Sequence, residues 1–315
     1  VILAIASGKG GTGKTTVAVN LALAASSLRT RQSDTEVILL DCDVEEPNVA
    51  LFLHPTIEQR QEVGLLMPEI DLSRCTYCGR CAEVCQYHAI AVVQHKVLVF
   101  PELCHGCGSC TLNCPEEAIR EKLRVSGVIE HGLARGSIRF AQGVLNVGEA
   151  MSTPLIRQLK QRAIPRDAHQ YLVILDAPPG TACPVVETMR GADLALMVTE
   201  PTPFGLHDLR LAVEVARDEL KLPVAVVINR DGLGDEGVDR YCQAEGLPIL
   251  LRIPLDRRIA EAYAEGYPIV EVLPEYRQYF LDLYQHIVQL GRRPEDEPKR
   301  QEVSRQEAEQ PKRAG

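Results

Sequence analysis

The stretch "VILAIASGKGGTGKTT" (1–16) leaves its chain few folds to choose from. "VILAIAS" (1–7) is a continuous apolar run, as a strand buried on both faces requires. "KTTVAVNLALAASSL" (14–28) has helical spacing and small residues. Between them Gly8-Lys9-Gly10-Gly11-Thr12-Gly13-Lys14-Thr15 fits G-x-x-x-x-G-K-[ST] in the strand–loop–helix setting that this phosphate-binding pattern needs. Its glycines let backbone N–H groups approach phosphate oxygens, and the helix N-terminus favours the anion. Lys14 is expected to bridge the β- and γ-phosphates and Thr15 to ligate Mg²⁺, with Thr12 and Thr16 completing the loop's set.

The same design recurs. "EVILLDCD" (36–43), "YLVILDAP" (171–178), "LALMVTE" (194–200) and "PVAVVINR" (223–230) are further buried strands. "LHDLRLAVEVARDEL" (206–220) and "VDRYCQAEG" (238–246) are helical segments among them. This alternation predicts an α/β fold with a doubly wound, mostly parallel sheet and its chemistry at the strand C-termini.

Residues 72–124 break the pattern. Cys75, Cys78, Cys81 and Cys85 are spaced C-x₂-C-x₂-C-x₃-C, and Cys104, Cys107, Cys110 and Cys114 repeat that spacing 29 residues on, followed by Pro115. This is the bacterial two-cluster ferredoxin pattern, in which the fourth cysteine of each run ligates the other cluster. One [4Fe–4S] is therefore expected on Cys75, Cys78, Cys81 and Cys114, and a second on Cys104, Cys107, Cys110 and Cys85. Zinc is the rival, but its thiolates usually come as separated C-x₂-C pairs. Gln86 stands where the first run's proline would be, at a position that ligates nothing. The expected organisation is a first nucleotide-domain part (1–71), a small α+β ferredoxin-like insert (72–124), a second nucleotide-domain part (125–291) and a disordered charged tail (292–315). Within 125–168 a hairpin-like extended stretch is expected, then a helix at "STPLIRQLKQRA" capped by Ser152 or Thr153.

The formal net charge of −9 makes nucleic acid or an anionic membrane a poor default partner, and its plain reading is solubility. No apolar run reaches the ~20 residues of a spanning helix, and "VILAIA" is too short for a signal-peptide core. A cytoplasmic protein is expected, where eleven cysteines mean metal or catalysis before disulfides. Cys42 and Cys242 read as packing.

"KGGTGKTT" resembles the deviant phosphate loop of the MinD, ParA, Mrp and nitrogenase iron-protein group of ATPases. The resemblance extends to "LLDCDVEEPN" (39–48), "DAPPGT" (176–181), "INR" (228–230) and "IPLDRRIAEAYAEGYPIVE" (253–271), covering nearly all of the chain outside the insert and tail. It implies that Lys9 reaches a partner's nucleotide across a dimer. It also implies that Asp41 holds a Mg²⁺-bound water, that Asp43 orients the attacking water, and that Asp176 reaches Mg²⁺ through water. Gly180 then approaches the γ-phosphate, Asn229 reads adenine beside Arg230, and Pro254 begins the loop beside the base. Lys9, Lys14 and Asp43 are thus the catalytic candidates. The iron protein of that group has a cluster ligand where Cys183 stands, but no second cysteine here matches its other ligand and there is no C-terminal C-x-x-C, so the sequence leaves open whether Cys183 contributes to an inter-subunit cluster.

The whole resembles members of this superfamily that carry an inserted ferredoxin domain. The expected function is a Mg-ATP-dependent, dimeric (homo- or related heterodimeric) ATPase with two [4Fe–4S] clusters. It would couple its nucleotide cycle to electron transfer or to cluster assembly and delivery, with a redox or cluster-acceptor protein as partner. The alternatives are a spatial-positioning ATPase of MinD or ParA type, against which the acidic charge and non-amphipathic tail weigh, and an electron carrier with a regulatory nucleotide site.

Overall fold

A computed structural model describes residues 1–28, 36–135 and 137–291. The expected tail at 292–315 lies outside these. The chain runs β1 (Ile2–Ala6), α1 (Lys14–Ser26), β2 (Glu36–Asp41), α2 (Val49–Leu53), β3 (Thr56–Ile70), α3 (Arg80–Glu83), β4 (Ile90–Val93), β5 (Lys96–Val99), α4 (Ser109–Leu112), β6 (Ile119–Ala134) and β7 (Ile138–Leu145). It continues through α5 (Thr153–Ala163), β8 (Tyr171–Asp176), α6 (Cys183–Met189), β9 (Leu194–Thr199), α7 (Pro203–Val213), β10 (Val224–Asp231), α8 (Gly237–Glu245), β11 (Ile249–Pro254), α9 (Arg257–Ala264), α10 (Ile269–Val272) and α11 (Arg277–Leu290).

Among the described residues, nine strands form one sheet in the order β11-β10-β9-β1-β8-β2-β7-β6-β3. Neighbours from β11 to β7 are parallel, as expected from strands separated by helices, and β6 and β3 add an antiparallel edge. Alternate residues of the central strands feed two cores. Leu39, Phe140 and Ile174 pack under α1 and α11, while Ile38, Leu40 and Val173 pack against α5, α6, α7 and α8.

Two segments differ from expectation. α7 starts earlier, at Pro203, because the Thr202 hydroxyl caps it by accepting from the Gly205 N–H at 3.0 Å, and it ends in a π-helical turn over Glu214–Glu219. Ser152 does occupy the N-cap of α5, but its hydroxyl makes no cap bond there.

The hairpin expected after the cysteine segment is β6 with β7, and β3 pairs along the whole of β6. β7 reaches only to Gly127 of β6, so Gly64–Ile70 and Ile119–Val125 continue past the sheet as a two-stranded ribbon. A bulge at Val63/Gly64 marks the point of departure. Only glycine fits at 64, since a Cβ would stand 1.9 Å from the Arg124 carbonyl oxygen. β6 crosses residue 124 without a break, so the cysteine segment is joined to the nucleotide domain by paired strands. At the ribbon's end a small lobe is built twice over. α3 and α4 follow left-handed Gly79 and Gly108, which are 29 residues apart, and His88 and Glu117 repeat a left-handed turn at the same offset. β4 and β5 form a separate hairpin within the lobe.

Candidate nucleotide site and cysteine centres

Parallel strands place their C-terminal ends in one row. β1 therefore delivers the phosphate loop beside Asp41 at the end of β2 and Asp176 at the end of β8, which are register partners. Gly13 begins α1 in the left-handed region at φ 97°, and Gly8 packs against the Asp208 backbone of α7 where no Cβ fits. Lys14 is buried and donates from Nζ to the Ser7 hydroxyl at 2.9 Å, and that hydroxyl donates to the Lys9 carbonyl at 2.5 Å. Thr15 donates to Asp176 Oδ2 at 2.6 Å. Thr16 gives its carbonyl to Asn20, whose Oδ1 accepts from the Val270 N–H, tying α1 to the "YPIVE" segment.

Asp41 is fully buried and accepts backbone N–H bonds from Asp43, Asn48 and Val49 at 3.1, 2.8 and 3.0 Å, which folds the segment after β2 around it. Gly180, with φ 96°, donates its N–H to the Ser7 carbonyl and so lays the segment after β8 against the loop. Asn229 donates from Nδ2 to the Thr12 carbonyl at 2.8 Å and accepts the Arg230 N–H on Oδ1. Its amide therefore buttresses the phosphate loop. Pro254 lies in register with Asp231, next to Arg230. Lys9 pairs with the nearly buried Glu200 at 3.3 Å, and Arg230 grips the same carboxylate.

The electrostatics call for a cation. Burial, then the neighbouring Asp176, raises Asp41 well above the usual carboxylate range. Burial also raises Asp176 against the opposing Thr15 bond and Lys14, and raises Asp43 against Lys14. Burial lowers Lys14, opposed by Asp176 and Asp43. Among the described residues, the buried side-chain polar atoms without a partner are Thr12 Oγ1, Asp176 Oδ1, Asn48 Oδ1 and Gln142 Oε1. Two of these four belong to the phosphate loop and the end of β8, and an unpartnered buried carboxylate oxygen at a strand end suits a hydrated divalent cation. No three His, Cys, Asp or Glu side chains among the described residues converge on a single bare ion. Mg²⁺ suits so sparse a set of protein oxygens, because it keeps several waters and takes further oxygens from substrate phosphates.

In the lobe, one cavity is lined by Cys75, Cys78, Cys81 and Cys114, and a second by Cys85, Cys104, Cys107 and Cys110. Each gathers three thiols of one run with the fourth of the other. The two fourth cysteines are held alike: Cys85 Sγ accepts from the Ala89 N–H at 3.2 Å and Cys114 Sγ from the Ala118 N–H at 3.3 Å. Burial raises the thiols of Cys81, Cys104 and Cys110. Tyr87 stacks on His105 at 3.7 Å over the second cavity, and Tyr77, lining the first, meets His95 edge-on.

Of the other thiols, Cys42 and Cys242 are buried, and burial pushes Cys242 up to about 11. Cys183 is exposed at the start of α6. Residue patterns do not flag Lys160. It donates to the Glu187, Thr188 and Arg190 carbonyls at 2.6, 2.8 and 2.6 Å, capping the C-terminus of α6, while Arg157 clasps Glu187 in two bonds.

A strand-borne phosphate loop, a buried acidic pair beside it and a doubly wound sheet define a P-loop nucleotide-binding protein. The chain belongs to the CbiA family, the CobQ/CobB/MinD/ParA nucleotide binding domain, whose profile matches residues 3–269. An uncharacterised protein of Methanocaldococcus jannaschii is 30% identical over 272 residues, 84% of this chain and 90% of its own. An iron-sulfur cluster carrier protein of Pyrococcus horikoshii is 27% identical over 291 residues, 85% of this chain and 78% of its own. Among solved structures, the septum site-determining protein MinD of Pyrococcus horikoshii, complexed with Mg-ADP, superposes with a TM-score of 0.53 at 20% identity, covering 92% of this chain and 96% of its own. That likeness is one of fold. No described helix is long and apolar enough to cross a membrane.

Proposed function

We propose that the protein is a Mg-ATP-hydrolysing iron–sulfur protein. Its two [4Fe–4S] clusters sit in a ferredoxin-like lobe, and its nucleotide cycle drives electron transfer or cluster delivery to a protein acceptor. The observation that carries this reading is the pair of four-cysteine cavities, each completed by the other run's last cysteine. Zinc would need a set of thiols closed on one ion, and no three His, Cys, Asp or Glu side chains among the described residues are so closed, which favours the wider-set ligands of a cubane. Held by these cysteines, the clusters would supply one-electron carriers whose potentials would respond to hydrogen bonds on the sulfurs, such as those from the Ala89 and Ala118 amides.

At the nucleotide, Lys14 and the loop amides would hold the phosphates, and Thr15, Asp41 and Asp176 would hold Mg²⁺ and its waters. Asp43, beside Lys14 and with its carboxyl raised, orients the attacking water. Lys9 acts across an ATP-dependent dimer. One sheet supports the coupling, since β2 and β8 end at Asp41 and Asp176 and β6 and β3 leave the same sheet for the lobe.

Anaerobic purification followed by iron and sulfide counting tests the cluster half. About eight of each per chain are expected, and zinc in place of iron rejects it. The coupling half is tested by the cluster reduction potentials with and without Mg-ATP. Potentials, acceptor binding and ATP turnover that are all mutually indifferent reject it.

A further inference from the structure

One transverse row of the sheet is polar from its centre to its edge. Asp176 on β8 is the register partner of Asp41 on β2, Asp41 of Gln142 on β7, Gln142 of Glu130 on β6, and Glu130 of Arg60 on β3. Leu39, Ile174 and Phe140, two positions back in their strands, lie in the core under α1, so Asp41, Asp176 and Gln142 share that face. Gln142 donates from Nε2 to Glu130 Oε2 at 2.6 Å, and Arg60 Nε stands 3.5 Å from Glu130 Oε1. We propose that Gln142, Glu130 and Arg60 are positioning residues that link the metal end of the nucleotide site to the ribbon carrying the cysteine lobe.

Three observations carry this. Gln142 is 9% exposed and its Oε1 is buried without a partner, a costly choice where an apolar side chain would close the row more cheaply. The amide thus has one grip made, on Glu130, and one free, on a strand position that is the register partner of Asp41. The row also ends where leverage is greatest. Arg60 lies three residues before the Val63/Gly64 bulge, the joint at which the ribbon leaves the sheet. Finally, the opposite core holds that joint, because Gln158 of α5 donates to the Gly64 carbonyl at 3.0 Å. Recruitment of Asp41 to a cation would change the charge next to Gln142 in the row. The amide answers by turning, and Glu130 and Arg60 move with it against the fixed Gly64 contact.

This inference rests on the proposed coupling of nucleotide and clusters, but is judged by a separate measurement. Hydrogen–deuterium exchange of the full, anaerobically purified chain is read at residues 63–70 and 119–126 with and without a Mg-bound non-hydrolysable ATP analogue. The nucleotide is expected to change ribbon exchange at least about threefold in the native protein. Glu130→Gln and Arg60→Gln should reduce that response to under about 1.5-fold, while nucleotide affinity stays within about threefold. Gln142→Leu should do the same. Arg60 is exposed, so its variant decides the matter if Gln142→Leu does not fold. A ribbon that ignores nucleotide in the native protein, or a response surviving in the folded variants, overturns the row. Cluster potentials judge the coupling itself. A nucleotide-dependent potential that persists in all three variants leaves coupling standing and removes the row. Native potentials, acceptor binding and ATP turnover that are all indifferent to one another remove coupling, and ribbon exchange still judges the row.

Discussion

Lys9 of the phosphate loop lies 3.3 Å from Glu200, the residue that follows β9, and Arg230 holds the same carboxylate. The pair is lopsided: the Glu200 side chain is 8% exposed and that of Lys9 33%. A nearly buried carboxylate needs a cation, and two stand on it. With Arg230 in place, Lys9 is the partner that can leave. In a single chain the loop lysine is therefore parked in cis, on Glu200.

Glu200→Gln should release Lys9 and strengthen ATP-dependent self-association several-fold, the scale of an ion pair worth about 1 kcal/mol. Lys9→Ala should abolish that association and ATP turnover while retaining nucleotide binding through Lys14. Sedimentation with a Mg-bound ATP analogue measures both. An unchanged Glu200→Gln association constant rejects the parked state.

The acidic pair predicts a pH dependence of definite sign. Burial raises both Asp41 and Asp176. The folded chain thus binds more protons than the unfolded one above the ordinary carboxylate value of about 4. Stability of the nucleotide-free chain should fall as pH rises from there through the raised values. The proposed Mg-nucleotide site would need both groups ionised, so its stabilisation should grow across the same window. Thermal midpoints with and without Mg-ADP, compared from about pH 5 to about pH 8, should draw apart as pH rises. A constant or narrowing gap contradicts this.

The buried strands and the phosphate loop are plain in the sequence because continuous apolar runs and fixed glycine spacings report burial and close approach directly. β3 is not. Thr56–Glu62 alternates nothing and buries nothing, as befits a charged edge strand whose only neighbour is β6, more than fifty residues along the chain. α11 likewise goes unread: its apolar stripe of Phe280, Leu283 and Ile287 sits among polar residues that carry no motif. The cysteine spacing announces two centres, and the fold brings the expected sets of four together around two cavities. What spacing cannot carry is partnership across distance. Lys9 with Glu200, Lys160 under α6 and Asn229 against Thr12 are each decided by the sheet order, not by local pattern.

Gly13 and Asn229 test how tightly the loop is held from behind. A Cβ at residue 13 would stand 2.4 Å from Asn229 Nδ2, and the φ of 97° is itself costly for any other residue. Gly13→Ala should cost about 1–3 kcal/mol and weaken ADP binding at least about tenfold. Asn229→Ala removes the clash but not the backbone strain. Combined with Gly13→Ala it should recover only part of the loss, with urea unfolding and ADP titration as the measurements. Full recovery shows that the clash alone mattered, and no recovery shows that the Asn229 contact does not constrain the loop.

The crossing of the two cysteine runs gives the most discriminating prediction for the lobe. Cys85 belongs by sequence to the first run, yet lines the cavity of Cys104, Cys107 and Cys110, and Cys114 lines that of Cys75, Cys78 and Cys81. Cys85→Ala should therefore lower iron from about eight to about four per chain and spare the centre on Cys75. Cys114→Ala should lose the other half. Cys75→Ala and Cys114→Ala should share one residual spectrum, and Cys104→Ala and Cys85→Ala the other, by electron paramagnetic resonance of the reduced protein. Pairing instead by run, with Cys85→Ala matching Cys75→Ala, is incompatible with the crossed cavities.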